Sequence, residues 1–161
     1  MVWLARHPTL KGRVNPKRKG QIMFDELEKY NNNDHFFIDE RVSLNEACNA
    51  PKNKSGVYYV LELSQGKINL VYIGSSGKMM NNGKIKHRQG GLYDRLVNGK
   101  QFGKPRRQSW LGKIQEEGID ALDIYWYDTF SDGDIPAFVE GLIIQTYFDM
   151  YGCLPKWNKE F

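Results

Sequence analysis

Residues 56–63 read GVYYVLEL and residues 68–73 read INLVYI, with the turn-prone Ser64, Gln65 and Gly66 between them. Both runs are rich in β-branched and aromatic side chains, so the pair predicts an antiparallel hairpin. Working outward, residues 74–91 are polar, glycine-rich and basic, and Asn82-Gly83 inside them is a hairpin-turn signal for a small secondary hairpin. Short helices are expected over residues 92–98, ended by Gly99, and over 108–117, ended by Gly118. Residues 122–127 (LDIYWY) form a third strand. The strongest helix spans 135–151: Asp132 or Asp134 is placed to cap it, Pro136 suits its first turn and Gly152 stops it.

Upstream, residues 20–30 carry Ile22, Met23, Leu27 and Tyr30 at helical spacing, residues 35–38 suit a short strand, and Ser43-x-x-Glu46 reads as a capping box opening a helix over 43–49. Residues 1–19 mix two prolines with cations and little periodicity, and read as an arm. The expectation is an α+β fold: a small, mainly antiparallel three-stranded sheet flanked by helices, with a helical N-terminal extension. A basic arm and extension occupy residues 1–54 and a core occupies 55–161, within one compact domain.

With 161 residues, 40% apolar and 13% aromatic, the chain can bury a real core. No apolar run approaches the roughly 18 residues needed to span a bilayer, which excludes an integral helical membrane protein. Charge with no apolar segment behind it at the N-terminus argues against secretion. Cys48, Cys153, His7, His35 and His87 are too few and too scattered for a disulfide scaffold or a zinc site, so a reduced, cytoplasmic protein is expected.

The net charge of +4 conceals segregation. Residues 1–20 carry +6 and residues 78–107 carry +8, leaving −10 for the remainder. A basic face on an acidic body suits phosphate binding; a solvated loop and arm is the alternative. Within residues 135–148 the only charged side chain is Glu140, among Phe138, Val139, Leu142, Ile143 and Ile144. A carboxylate in that company is partly desolvated and invites a cation, although a helix-surface or salt-bridged glutamate shows the same pattern.

Gly56-Val57-Tyr58 and Tyr72-Ile73-Gly74 resemble the paired tripeptides of the GIY-YIG endonuclease superfamily. Leu92-Tyr93-Asp94-Arg95 is similar to that family's Leu-x-x-Arg, Glu140 to its metal-binding glutamate and Asn158 to its C-terminal asparagine. The resemblance covers about residues 55–160. Arg95 lies further beyond Tyr72 than in many members, and Gly99 stands where a His or Tyr commonly follows one turn later. Residues 75–91 thus look like an insertion of the kind found in the restriction enzymes of this superfamily.

The resemblance implies an Mg²⁺-dependent endonuclease that hydrolyses double-stranded DNA, most like a type II restriction enzyme working as a homodimer. Glu140 would hold the Mg²⁺, Arg95 would clamp the scissile phosphate, and Tyr72, beside Tyr58, would deprotonate the attacking water. A phenol with a pKa of about 10 needs a nearby cation for this, with Lys84 the first choice and His87 the second. Arg88 competes with Arg95 for the clamp. Lys86, His87, Arg88, Lys100, Arg106 and Arg107 are the expected DNA-binding side chains, and Gly56, Gly74 and Asn158 support the site. Alone, Tyr58 and Tyr72 equally fit strand aromatics, and Asn158 fits a turn residue bonding backbone. A phage or mobile-element nuclease of loose specificity, or a non-hydrolytic nucleic-acid-binding module, are the other functions that suit these residues.

Overall fold

The computed structural model describes residues 24–161, so the arm expected over 1–19 lies outside the described residues. In chain order the strands and helices are β1 (Asn33–Ile38), α1 (Leu44–Ala47), β2 (Gly56–Ser64), β3 (Lys67–Ser76), β4 (Lys78–Met79), β5 (Ile85–Lys86), α2 (Gly91–Asn98), β6 (Lys100–Gln101), β7 (Lys104–Pro105), α3 (Arg106–Glu117), β8 (Ala121–Asp128) and α4 (Pro136–Tyr151). Among the described residues, no helix is long and apolar enough to cross a membrane.

The expected hairpin is β2–β3, paired antiparallel with Tyr58 opposite Gly74 and Val60 opposite Tyr72; the register shifts just beyond Val60. β8 lies against the other edge of β2. Among the described residues the sheet has four strands, not three, in the order β1-β8-β2-β3. β8 has two edges of backbone donors and acceptors to satisfy, and β1 covers the second, from Asn33 opposite Tyr127 to Ile38 opposite Leu122. His35 secures this pairing by stacking on Tyr125 at 4.6 Å and bonding Asp123 at 2.8 Å. The expected boundary at residue 54 therefore separates β1 from the sheet to which it belongs.

The unbroken apolar run of β2 reflects burial on both sheet faces. Tyr58 and Val60 face Leu92, Leu96, Trp110 and Ile114 of α2 and α3. Val57, Tyr59 and Leu61 face Val139, Ile143 and Ile144 of α4, together with Phe24, Leu27 and Tyr30. Burying these side chains at about 25 cal/mol per Å² supplies the main driving force for the fold.

Local signals are met unevenly. Asn82-Gly83 does turn a small β4–β5 hairpin: Gly83 adopts φ 78° and the Asn82 side chain accepts from Lys84 N at 3.0 Å. Of the helix expected over 20–30, the described part holds a single 3-10 turn, Asp25–Leu27. Ser43 makes no side-chain cap, and Asp134 accepts from Tyr30 Oη at 2.6 Å instead of capping α4. For Asp134 a tertiary bond has taken the group that local rules assign to a cap.

Candidate active site

Four elements meet at one end of the sheet, and their placement rests on two glycines. A Cβ at Gly74 would lie 2.5 Å from Tyr58 Oη, so only glycine lets the Tyr58 ring lie across β3. Gly56 is equally constrained, because a side chain there would run into the Tyr127 carbonyl on β8. The rings of Tyr58 and Tyr72 sit 6.1 Å apart, tilted at 36°. Asn158 supports this strand directly: its Nδ2 donates to Ile73 O and its Oδ1 accepts from Ile73 N, both at 2.9 Å. The side-chain amide pairs with the backbone of β3 as another strand would, and Trp157 N donates to Val71 O alongside it.

Arg95 reaches this place from α2. Its guanidinium faces Tyr58 first, then Tyr72 and Glu140, and these neighbours favour its charge beyond that of an ordinary arginine. Among the described residues neither Arg95 Nε nor Tyr58 Oη makes a hydrogen bond of good geometry, although both atoms are buried. Glu140 enters from α4. Burial raises its carboxyl above the ordinary range, against a hydrogen bond from Ser75 and the charges of Arg95 and Arg106. The Arg95–Tyr58 pair, close but poorly aligned, stands beside a desolvated carboxylate, the kind of arrangement that marks functional sites.

Adjoining Arg95 is a cleft of about 590 Å³ lined by Ser75, Ser76, Lys78, Lys86, His87 and Arg88, among others. Lys78 and Lys86 are cross-strand partners in the β4–β5 hairpin, a like-charge pairing that costs stability unless an anion lies between. Ser76 is 4% exposed and its hydroxyl has no partner among the described residues. His87 is held by a 2.7 Å bond to Ser55 Oγ. Arg88 is engaged by Asp94 at 2.5 Å. Burial works against that carboxylate, yet bonds from Asn98 and Arg88 hold it below its usual range. Arg88 is thus half neutralised, whereas Arg95 has no acid of its own in bonding distance among the described residues.

The structure therefore brings together Tyr58, Tyr72, Arg95 and Glu140, with Lys86, His87 and Arg88 in the adjoining cleft. Lys84 is not among the residues lining the cleft: it is exposed at the turn, where its carbonyl accepts from Met80 N. Lys100 is exposed on β6, and Arg107 lines a separate depression with Asp39 and Arg41. Arg106 is not on the surface at all; it is 1% exposed beneath the tyrosines. Tyr72 also departs from expectation. Burial, then Tyr58, push its phenol up to about 12; Arg106 and Arg95 pull it down and Glu140 adds to the rise. The cations facing Tyr72 are these arginines and not Lys84 or His87.

Sequence reasoning passed over Ser75, Ser76, Lys78 and Gln101. Ser75 and Ser76 directly follow Gly74, and Lys78 stands opposite Lys86 across the Asn82-Gly83 turn, so chain position was the available signal. Comparisons with protein-family models, with curated proteins and with solved structures find no match to the chain.

Proposed function

We propose that the chain is an Mg²⁺-dependent endonuclease that hydrolyses phosphodiester bonds of double-stranded DNA at a short specific site, acting as a homodimer. The observation that carries this reading is the convergence of a half-buried arginine that makes no salt bridge among the described residues, a desolvated glutamate and two tyrosines beside a cleft lined with cations. Among the described residues no three His, Cys, Asp or Glu side chains stand together, so a protein cage of several ligands is absent there. A single carboxylate suits Mg²⁺, which keeps several waters and is often held by one or two carboxylates.

Glu140 would hold that ion, with Ser75 fixing the carboxylate's orientation. When bound, Mg²⁺ supplies Lewis-acid polarisation of the phosphate and a more acidic water. The planar fork of Arg95 binds two non-bridging phosphate oxygens and follows the charge that grows on them during in-line attack. Lys78 and Lys86 hold neighbouring phosphates and draw the duplex in. Tyr72 Oη takes the proton of the attacking water when the phenol has ionised, a state that burial disfavours and the two arginines favour. A homodimer places two such sites on the two strands by two-fold symmetry.

Incubating the full chain with supercoiled phage DNA and Mg²⁺ tests this directly. Discrete bands that need both Mg²⁺ and Glu140 are the expected result. A smear would replace site specificity by a nuclease of loose specificity. Binding without cleavage over a range of pH and divalent ions would overturn the enzyme reading in favour of a nucleic-acid-binding module.

A further inference from the structure

We propose that Arg106 is a positioning residue for Tyr72: enclosed beneath the tyrosine rings, it fixes the Tyr72 hydroxyl as an acceptor and stabilises negative charge on that oxygen. The inference deepens the endonuclease reading and rests on it for the role of Tyr72.

All three nitrogens of the Arg106 guanidinium donate. Its Nε donates to Gln101 Oε1 at 3.1 Å, Nη1 to the Arg95 carbonyl at 2.8 Å and Nη2 to Tyr72 Oη at 3.2 Å. Its plane lies against the rings of Tyr58, Tyr72 and Trp110, with 5.2 to 5.3 Å to each centroid. Gln101 is itself locked, since the same Oε1 accepts from Trp110 Nε1 at 2.9 Å. Among the described residues Arg106 forms no salt bridge, although it is 1% exposed.

A buried cation that makes no salt bridge is costly, and such groups persist where negative charge develops. Of the atoms that Arg106 touches, the Gln101 amide, the Arg95 carbonyl and the Trp110 indole cannot ionise at ordinary pH. Tyr58 meets it through the ring face. Of the atoms bonded to Arg106, Tyr72 Oη is the one that can become an anion; the Glu140 carboxylate feels the charge of Arg106 across space but makes no salt bridge with it among the described residues. Arginine only donates, so Tyr72 Oη is an acceptor in this bond and its own proton must point elsewhere. The groups facing Tyr72 from the surrounding elements are Tyr58 from β2, Arg95 from α2, Arg106 from α3 and Glu140 from α4.

Gly99 shows why this cation comes from α3. A Cβ at position 99 would lie 2.3 Å from the Arg95 carbonyl oxygen and 2.9 Å from Arg106 Nη1, so the backbone first and the guanidinium beside it leave no room for a side chain one turn beyond Arg95.

The test is a fluorine NMR titration of the full chain labelled with 3-fluorotyrosine, which ionises at lower pH than tyrosine, with the position-72 resonance assigned through Tyr72→Phe. Arg106→Gln should move the midpoint up by a unit or more, and Arg106→Lys should restore most of the wild-type value. If Arg106→Gln does not fold, Gln101→Glu keeps the packing and sets a carboxylate on the guanidinium, which should also raise the midpoint. An unchanged midpoint in a folded Arg106→Gln or Gln101→Glu chain overturns the proposal. The titration needs no nuclease activity, so a chain that shows the shift but cuts no DNA refutes the nuclease reading and still supports Arg106's control of Tyr72. In the active chain, Arg106→Gln should lower kcat on the order of a hundredfold, as when other charge-stabilising donors are removed, with KM for DNA unchanged.

Discussion

Glu140 and Gly74 illustrate opposite uses of a residue. The carboxyl of Glu140 titrates above its ordinary value in the fold, mainly because it is buried. A raised acid favours the fold at low pH, and that contribution is lost as pH rises through the folded value, so at neutral pH the ionised group works against stability. Glu140→Gln should therefore abolish cleavage, keep DNA binding and melt at a temperature equal to or above the wild type's at pH 7. A variant that cuts at near wild-type rate would end the metal assignment. Gly74 is instead a residue of fit: Gly74→Ala forces a methyl group into the Tyr58 ring and should cost about 1–3 kcal/mol by denaturant unfolding, in the range of other overpacking changes. Adding Tyr58→Leu should recover part of that loss in a double-mutant cycle, and strict additivity would show that the ring is not what the methyl strikes. Both residues were legible in the sequence, Glu140 by its isolation among apolar neighbours and Gly74 by its tripeptide. Arg106 was not. In sequence it belongs to a basic run beside Arg107, and only its bonds to Gln101, the Arg95 carbonyl and Tyr72, made across the fold, turn one of the pair inward.

At the scale of elements, the β4–β5 hairpin was legible as a turn but not as a set of side-chain directions. Lys84 follows the Asn82-Gly83 turn most closely, yet it lies within the connection, while the paired positions 78 and 86 carry the lysines into the cleft. The salt dependence of DNA binding measures this difference. Lys78→Ala and Lys86→Ala should each lower the slope of log affinity against log salt by about 0.9 for every phosphate the lysine neutralises, while Lys84→Ala leaves it unchanged. The reverse pattern would place the turn, and not the ladder, on the DNA. The place of the first strand in the sheet was missed for a related reason. Residues 35–38 have strand character, but nothing local states that their partner lies beyond residue 120.

Across the whole molecule, the chain separates its charge, with +6 over residues 1–20 and +8 over 78–107 against −10 elsewhere. Removing residues 1–19 takes six cations away and should reduce both affinity and salt slope if several of them bind phosphates. Discrimination between DNA sequences should survive where the arm grips backbone alone. A truncated chain with unchanged affinity and slope would leave the cleft as the whole electrostatic footprint. The strand order has a different consequence, for how the fold is reached. β8 is the last strand in the chain but lies inside the sheet, between β1 and β2. Residue 33 must find residue 127 before the sheet closes, and such distant pairings make folding slow. Until β8 inserts, the GVYYVLEL run of β2 presents an unpaired apolar edge, the kind that recruits strands from other chains. Aggregation during refolding should therefore rise steeply with protein concentration, and faults within Ala121–Asp128 should be felt first as a reduced yield of folded protein.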